Sequence, residues 1–223
     1  MQIKGKKAVC ISASNVISSK GQSTSYLICE KIKAILDKSQ VTCDILDLRE
    51  YDMNPCIGCG QCYEEKRCCQ DREFNRVYEL LVQADWCFII SPHYAPIPAK
   101  LCMLLEKMEQ ITFLHWWKDQ SYCSELHGKL AGIISHGGGE KWALASYKAM
   151  VNDTIANALD TIQMKVVPFS SKWDTGISLP VQHVQKEKGI FPVQEYDWGS
   201  LEESLHNYVE VVVQTARSLY AIK

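Results

Sequence analysis

The sequence has no long apolar run and no excess of charge of either sign. No apolar stretch of the 223 residues approaches the roughly 20 residues of a membrane-spanning helix. A formal net charge of −2 gives no electrostatic reason to expect nucleic acid or a lipid surface as a partner. The chain passes from lysines directly into a strand-like run, without the apolar core of a secretory signal. We therefore expect a cytoplasmic protein that binds neither nucleic acid nor membrane.

Repeats, low-complexity segments and linker-like stretches are absent as well, which favours one domain over residues 1–223. Strand-like and helix-like segments alternate, and this pattern predicts a parallel sheet with helices on both faces. The predicted strands are 8–12, 41–48, 86–91, 129–135 and 165–169. The predicted helices are 23–38, 71–83 with Asp71 as N-cap, 98–108 from Pro98, 142–159, and 200–220 with a capping box at Ser200 and Glu203.

Three segments interrupt the alternation: a cysteine-rich loop at 53–70, an aromatic stretch at 113–123 and a long connection at 170–199. The eleven cysteines follow this division. Six are scattered singly, and we predict reduced thiols packed as small core side chains: Cys10, Cys29, Cys43, Cys87, Cys102 and Cys123. The other five lie together in the cysteine-rich loop.

Ligands of a doubly wound sheet bind at the carboxyl ends of its strands. After the first strand, hydroxyl side chains and a helix start predict a cradle for a monophosphate ester, formed by Ser12, Ser14, Gln22, Ser23 and Thr24. No Gly-x-Gly-x-x-Gly or Walker A pattern occurs here, which argues against a dinucleotide site or a phosphoryl-transfer enzyme. An ordinary polar loop with a hydroxyl N-cap is the structural alternative.

The ends of the third and fourth strands carry further candidates. Pro92, His93, Tyr94, Ala95 and Pro96 form a stiff loop with planar side chains. Ser135, His136, Gly137 and Gly138 begin a glycine-rich turn whose backbone is suited to approach a flat ligand closely. A core tyrosine, a structural histidine and a flexible turn are the alternatives, but suitable loops at three strand ends favour a common site.

The cysteine-rich loop contains Cys56, Cys59 and Cys62 at x2 spacing, followed by Cys68 and Cys69. Three thiolates at this spacing with a fourth nearby are typical of a cubane iron–sulfur site. Zinc, a redox disulfide and a loop that has lost its cluster remain alternatives.

These motifs resemble the iron–sulfur flavoproteins, a branch of the flavodoxin-like NAD(P)H-dependent FMN reductases, from about residue 7 to 170. The resemblance rests on the cysteine run, on residues 91–94 in place of the family's Ser-Pro-Val-Tyr, and on residues 21–24 in place of Gly-Asn-Thr. It implies a five-stranded sheet of order 2-1-3-4-5 with the cysteine loop after strand 2. It also implies FMN at the strand ends and a 4Fe–4S cluster on Cys56, Cys59, Cys62 and Cys68, with Cys69 as the rival fourth ligand.

The same resemblance implies an oxidoreductase in which the cofactors carry the chemistry and no side chain serves as nucleophile or base. Electrons would pass between a reduced donor, NAD(P)H or ferredoxin-like, and a small-molecule or protein acceptor. Relatives assemble as homodimers or homotetramers, and residues 113–117 suit either such an interface or a roof over the substrate pocket. The alternatives are a flavin-only quinone, azo or nitro reductase and a non-enzymatic redox or zinc sensor.

Overall fold

The computed structural model describes residues 3–15, 22–185 and 193–221. The strands are β1 (Lys7–Ser12), β2 (Thr42–Asp47), β3 (Trp86–Pro92), β4 (Leu130–His136), β5 (Lys165–Val166), β6 (Ile177–Leu179), β7 (His183–Gln185) and β8 (Val193–Glu195). The helices are α1 (Thr24–Lys38), α2 (Arg72–Gln83), α3 (Ala99–Lys118), α4 (Leu144–Tyr147), α5 (Asp153–Thr161) and α6 (Trp198–Ala221). None of these helices is both long and apolar enough to cross a membrane.

The main sheet is parallel and has the order β2-β1-β3-β4-β5, which confirms the predicted doubly wound arrangement. Its side chains alternate between two cores. Val9 and Ile11 pack with α2, α3 and α5 on one face, whereas Ala8 and Cys10 pack with α1 and α6 on the other. Helices therefore cover both faces of the sheet.

The predicted fifth strand, 165–169, is wrong in its second half. Only Lys165–Val166 pairs with β4 there, and the last ladder bond runs from the Val167 N–H to the Ala131 carbonyl at 2.9 Å, because the next N–H on that side, that of Phe169, donates to the Trp173 carbonyl instead. The chain leaves the sheet and returns as β6, which pairs with the end of β4. The long connection thus supplies β6 and an antiparallel β7–β8 ribbon.

The observed N-termini of the helices agree with the predictions for α1 and α2 but not for α6. Asp71 accepts a hydrogen bond from the Phe74 N–H at 2.9 Å, so this predicted N-cap is confirmed. Ser23 accepts one from the Tyr26 N–H at 3.3 Å and is the hydroxyl N-cap of the structural alternative for its loop. The capping box at Ser200 is wrong because Asp197 accepts from the Ser200 N–H instead and α6 begins at Trp198.

The two middle helices differ from their predicted bounds. The third continues from 108 to Lys118, because the buried stripe extends to Ile111 and Thr112. The predicted helix 142–159 is interrupted by a π-helical turn, Lys148–Asn152, between α4 and α5.

Four of the six scattered cysteines are core residues as predicted: Cys10, Cys29, Cys43 and Cys87. Cys102 and Cys123 are exposed, so the prediction is wrong for these two. All eleven cysteines are free thiols.

Candidate functional site

The predicted strand-end residues meet at one edge of the sheet. Ser12 lies opposite Ile90, and Pro92 lies opposite His136 in the register of the parallel strands. The backbone N–H of His93 donates to the His136 carbonyl at 2.9 Å and ties the two loops together. The loops after β1, β3 and β4 therefore form a common rim.

On the α1 side of this rim, the predicted hydroxyls have different environments. Ser12 is fully buried, and its hydroxyl has no hydrogen-bond partner among the described residues. Ser14 is also buried, Ser23 is engaged as the helix cap, and Thr24 is half-buried at the first position of α1. Gln22 is exposed. Residues 16–21, with the Gly21 that the resemblance used, lie outside the described residues.

The loop after β3 presents accessible surface at the same rim. Tyr94, Ala95 and Pro96 are exposed, and the Tyr94 N–H donates to the Pro96 carbonyl at 2.8 Å. The ring of His93 lies 5.7 Å from that of Tyr147, and its Nε2 is 3.2 Å from the Met150 sulfur. The ring of Tyr94 is therefore more accessible to a ligand than the ring of His93.

The glycine-rich turn is explained by a protein side chain. A Cβ at Gly137 would lie 2.6 Å from the Tyr147 hydroxyl, and the Gly139 N–H donates to that hydroxyl at 2.5 Å. These glycines are required because Tyr147 packs against the turn, so they do not by themselves indicate a flat ligand. Gly138 is exposed, and the Ser135 hydroxyl pairs with that of Ser178 at 2.7 Å.

His136 is buried between α1 and the long connection. Its Nε2 lies 2.8 Å from the Ser25 hydroxyl, and its Nδ1 lies 3.5 Å from the Tyr196 hydroxyl. Burial lowers the pKa of His136 to about 4, so the ring is neutral near pH 7. Ser25 and Tyr196 are not recognisable as site residues in the sequence, because neither belongs to a local motif.

This buried histidine predicts acid sensitivity. In the unfolded chain a histidine protonates below about pH 6.5, whereas His136 in the fold resists protonation until about pH 4. The contribution is fully present above pH 6.5 and is lost as the pH falls through this window. We expect the free energy of unfolding to decrease by about 3 kcal/mol between pH 7 and 4 from this group.

Urea titrations at a series of pH values measure this loss, and H136Q should flatten the profile in that window. H206Q, at an exposed position of α6, supplies the control and should follow the wild-type profile. An H136Q profile as steep as that of the wild type would assign the acid sensitivity to other groups.

The second site is a pocket in the cysteine-rich loop, here called the cysteine pocket. It encloses about 260 Å³ and is lined by Cys56, Cys59, Cys62, Cys68 and Cys69, with Asn54, Pro55, Ile57, Gly60, Gln70, Asp71, Lys107, Gln110 and Ile111. Gly58 and Gly60 have φ values of +66° and +70°, a region that favours glycine and lets the loop curl around the pocket.

The thiols of the pocket are close enough to influence one another. Burial raises the pKa of Cys62, and the neighbouring Cys56, Cys68 and Cys59 raise it further. The Gly58 N–H lies 3.5 Å from the Cys56 sulfur, whereas the Cys69 thiol donates to the side-chain oxygen of Gln61. Within residues 3–15, 22–185 and 193–221, no three His, Cys, Asp or Glu side chains are arranged as a metal site.

A buried ion pair forms one wall of the cysteine pocket. Lys107 of α3 contacts Asp71, and both side chains are almost completely buried. Asp71 also accepts from the N–H groups of Phe74 and Asn54, each at 2.9 Å. Burial acts to raise the pKa of Asp71, but these three hydrogen bonds outweigh it and hold the pKa below its usual range.

The stretch between Cys62 and Cys68 does not line the cysteine pocket but contacts α2, α3 and the segment after α3. The Arg67 guanidinium pairs with Glu79 at 2.8 Å and Glu125 at 2.5 Å. Nε2 of His115 lies 3.0 Å from the Cys62 carbonyl oxygen. These contacts position the cysteine-rich loop against α2 and α3.

Solved structures and a curated protein resemble this chain. RosB with bound 8-demethyl-8-formylriboflavin-5′-phosphate has a TM-score of 0.57 at 15% identity, covering 95% of this chain and 76% of RosB. The flavoenzyme NAD(P)H:acceptor oxidoreductase FerB of Paracoccus denitrificans has a TM-score of 0.56 at 12% identity, covering 96% and 97%. Oxidised flavodoxin 1 of Bacillus cereus has a TM-score of 0.52 at 13% identity, covering 94% and 98%. At these identities the likeness establishes the flavodoxin-like fold.

An iron–sulfur flavoprotein of Methanocaldococcus jannaschii is 29% identical over 85 residues, which are 38% of this chain and 44% of that protein. The match therefore spans less than half of the relative's length. Residues 7–174 match the family of NADPH-dependent FMN reductases, a segment that contains the rim of β1, β3 and β4 and the whole cysteine pocket. The chain belongs to this family.

Proposed function

We propose that this protein passes electrons between a reduced donor, NAD(P)H or ferredoxin-like, and an acceptor by means of FMN and a 4Fe–4S cluster. FMN would lie at the strand-end rim, and Cys56, Cys59, Cys62 and Cys68 would hold the cluster. The observation that carries the proposal is the lining of one pocket by all four of these cysteines in a chain of the FMN reductase family.

The residues at the rim fit a flavin that ends in a phosphate. Free N–H groups at the start of α1 and the positive end of its dipole favour an anion. Thr24 offers a hydroxyl there, and the buried Ser12 hydroxyl has no partner within the described part of the chain. Tyr94 and Pro96, both exposed, supply a surface for the ring.

The donors of the cysteine pocket fit an iron–sulfur cluster in their chemistry. Four thiols of a compact run supply the thiolate ligands that iron–sulfur clusters require. The Gly58 N–H near the Cys56 sulfur is the kind of hydrogen bond that adjusts a cluster's reduction potential. The name of the Methanocaldococcus relative, an iron–sulfur flavoprotein, supports the same assignment.

The side chains of this protein would bind and orient the cofactors rather than react. When bound, FMN exchanges electron pairs and the cluster exchanges single electrons. His93 and Tyr94 flank the ring surface and would influence its environment, while Thr24 fixes the phosphate end. No side chain is assigned as nucleophile or general base.

Assembly as a homodimer or homotetramer is part of the proposal. Phe113, Trp116 and Trp117 are exposed at the end of α3, with ring centroids of Phe113 and Trp117 6.1 Å apart. Exposed aromatic clusters are typical of subunit interfaces. Light scattering of the purified protein measures this, and a monomer at micromolar concentration would contradict it.

Substitutions in the phosphate cradle should weaken FMN binding. Thr24→Glu places a negative charge beside the proposed phosphate, and Ser14→Asp does the same from the first loop. An acidic side chain in the first turn of a helix favours the helix itself, so T24E should remain folded. Flavin content after purification and a fluorescence titration give the result. Full flavin occupancy in both variants would contradict the phosphate assignment.

The function is tested by the visible absorption spectrum of anaerobically purified protein, together with counts of flavin, iron and zinc. We expect FMN and about four iron atoms for each chain. Flavin without iron would indicate a flavin-only quinone, azo or nitro reductase. Zinc without flavin would indicate a sensor.

A further inference from the structure

Tyr196 reaches the proposed phosphate end of the flavin site from a part of the chain outside the family match. It follows β8, beyond the matched residues 7–174. Its hydroxyl lies 3.5 Å from Nδ1 of His136, and Nε2 of the same ring lies 2.8 Å from the hydroxyl of Ser25 in the first turn of α1. The long connection thus adds a polar group to a cradle otherwise built from the first loop and α1.

Several acceptors surround the Tyr196 hydroxyl. It lies 3.0 Å from Oε1 of Gln194, 3.4 Å from the Gly137 carbonyl and 3.5 Å from Nδ1 of His136. A phenol has one proton to donate, so it satisfies only one of these acceptors at a time. The proton is therefore free to turn toward a stronger acceptor, such as a phosphate oxygen, without a change in side-chain position.

The ring of Tyr196 is held in place by neighbouring aromatic groups. It meets the buried His136 edge to face, at 6.5 Å and 76°. On its other side it lies 5.4 Å from the ring of Trp198, over which the Lys31 ammonium sits at 4.8 Å. A hydroxyl on a fixed ring is pre-organised, which lowers the entropy cost of binding a ligand.

We propose that Tyr196 is a further phosphate-binding residue, whose hydroxyl donates to the terminal phosphate of FMN beside Thr24. This inference rests on the proposed function, because it requires FMN at the strand-end rim. Burial raises the pKa of Tyr196 well above its ordinary value, so the group keeps its proton beside a dianion. Tyr196 would thereby favour flavins that carry a phosphate over riboflavin.

The test compares Y196F with the wild type, each freed of flavin, in fluorescence titrations with FMN and with riboflavin. We expect Y196F to raise the Kd for FMN by about 10- to 100-fold, the range for losing a hydrogen bond to a charged group. The Kd for riboflavin should stay the same. Thermal unfolding of each variant, with and without saturating FMN, provides a second measurement of the same difference.

Tyr208 of α6 provides the matched control. It is a buried tyrosine whose hydroxyl donates to the Val167 carbonyl at 2.8 Å and accepts from the Ile133 N–H at 3.2 Å, away from the cradle. Y208F should lower stability while leaving the ratio of the two Kd values unchanged.

The outcomes separate this inference from the proposed function. An equal loss of FMN and riboflavin affinity in Y196F, or no loss of either, would overturn the role of Tyr196 as a phosphate ligand. A wild-type protein that binds no flavin, or binds riboflavin as tightly as FMN, would overturn the phosphate cradle and with it the proposed FMN site.

Discussion

Cys68→Ser is expected to abolish cluster binding, as are the serine variants of Cys56, Cys59 and Cys62, whereas Cys69→Ser should retain the cluster. All five cysteines line the cysteine pocket, so proximity alone does not select the fourth ligand. The cysteine spacing of the iron–sulfur flavoproteins favours Cys68, which, like Cys62, packs against the core on the α2 and α3 face of the sheet. Cys69 is exposed and donates to Gln61 instead.

Anaerobic reconstitution followed by iron and sulfide counting measures the effect of each serine variant. C69S is the matched control, since it removes a thiol from the same loop, and C123S removes an exposed thiol outside the cysteine pocket. Loss of the cluster in C69S with retention in C68S would reverse the assignment of the fourth ligand. Full iron in all four ligand variants would contradict the cysteine pocket as the cluster site.

The sheet and the caps of α1 and α2 were predictable because their signals are local. Alternation of apolar runs with helical periods fixes the fold class, and Ser23 and Asp71 stand directly before their helices. The fifth strand was predicted too long, because the contact that ends it, from the Phe169 N–H to the Trp173 carbonyl, involves a residue outside the apolar run and leaves no sign within it. The start of α6 was misplaced because Asp197, three residues before Ser200, accepts from the Ser200 N–H, and this cap lies outside the predicted capping box.

The residues of the candidate sites likewise fall into those that the sequence reveals and those that only the fold brings together. Strand-end loops and the cysteine run are recognisable in the sequence, since spacing or position along the alternation marks them. The residues that complete these sites were not recognisable, because they act through contacts distant in the chain. Ser25 meets His136 across 111 positions, and Lys107 meets Asp71 across 36. A lysine within an apolar helical stretch gives no local sign of its partner.

Lys107 contributes both to the stability of the fold and to the shape of the cysteine pocket. Asp71 lies two residues after Cys69, caps α2, and accepts from the backbone N–H of Asn54 on the other side of the pocket. Lys107 neutralises it from α3. The two ends of the cysteine-rich loop are therefore joined through one carboxylate, and its charge must be compensated for the loop to keep this shape.

Lys107→Met is accordingly expected to lower the free energy of unfolding by about 3–5 kcal/mol, the cost of leaving one member of a buried ion pair without its partner. The double variant K107M/D71N should recover a large part of this loss, because asparagine still caps α2 and carries no charge to be compensated. Urea titrations at pH 7 give both values. R76M, which breaks the exposed pair of Arg76 with Glu73, is the control and should change stability little. A double variant as unstable as K107M would show that the loss comes from packing of the lysine stem, and a stable K107M would show that the Asp71 charge is compensated by the backbone N–H groups alone.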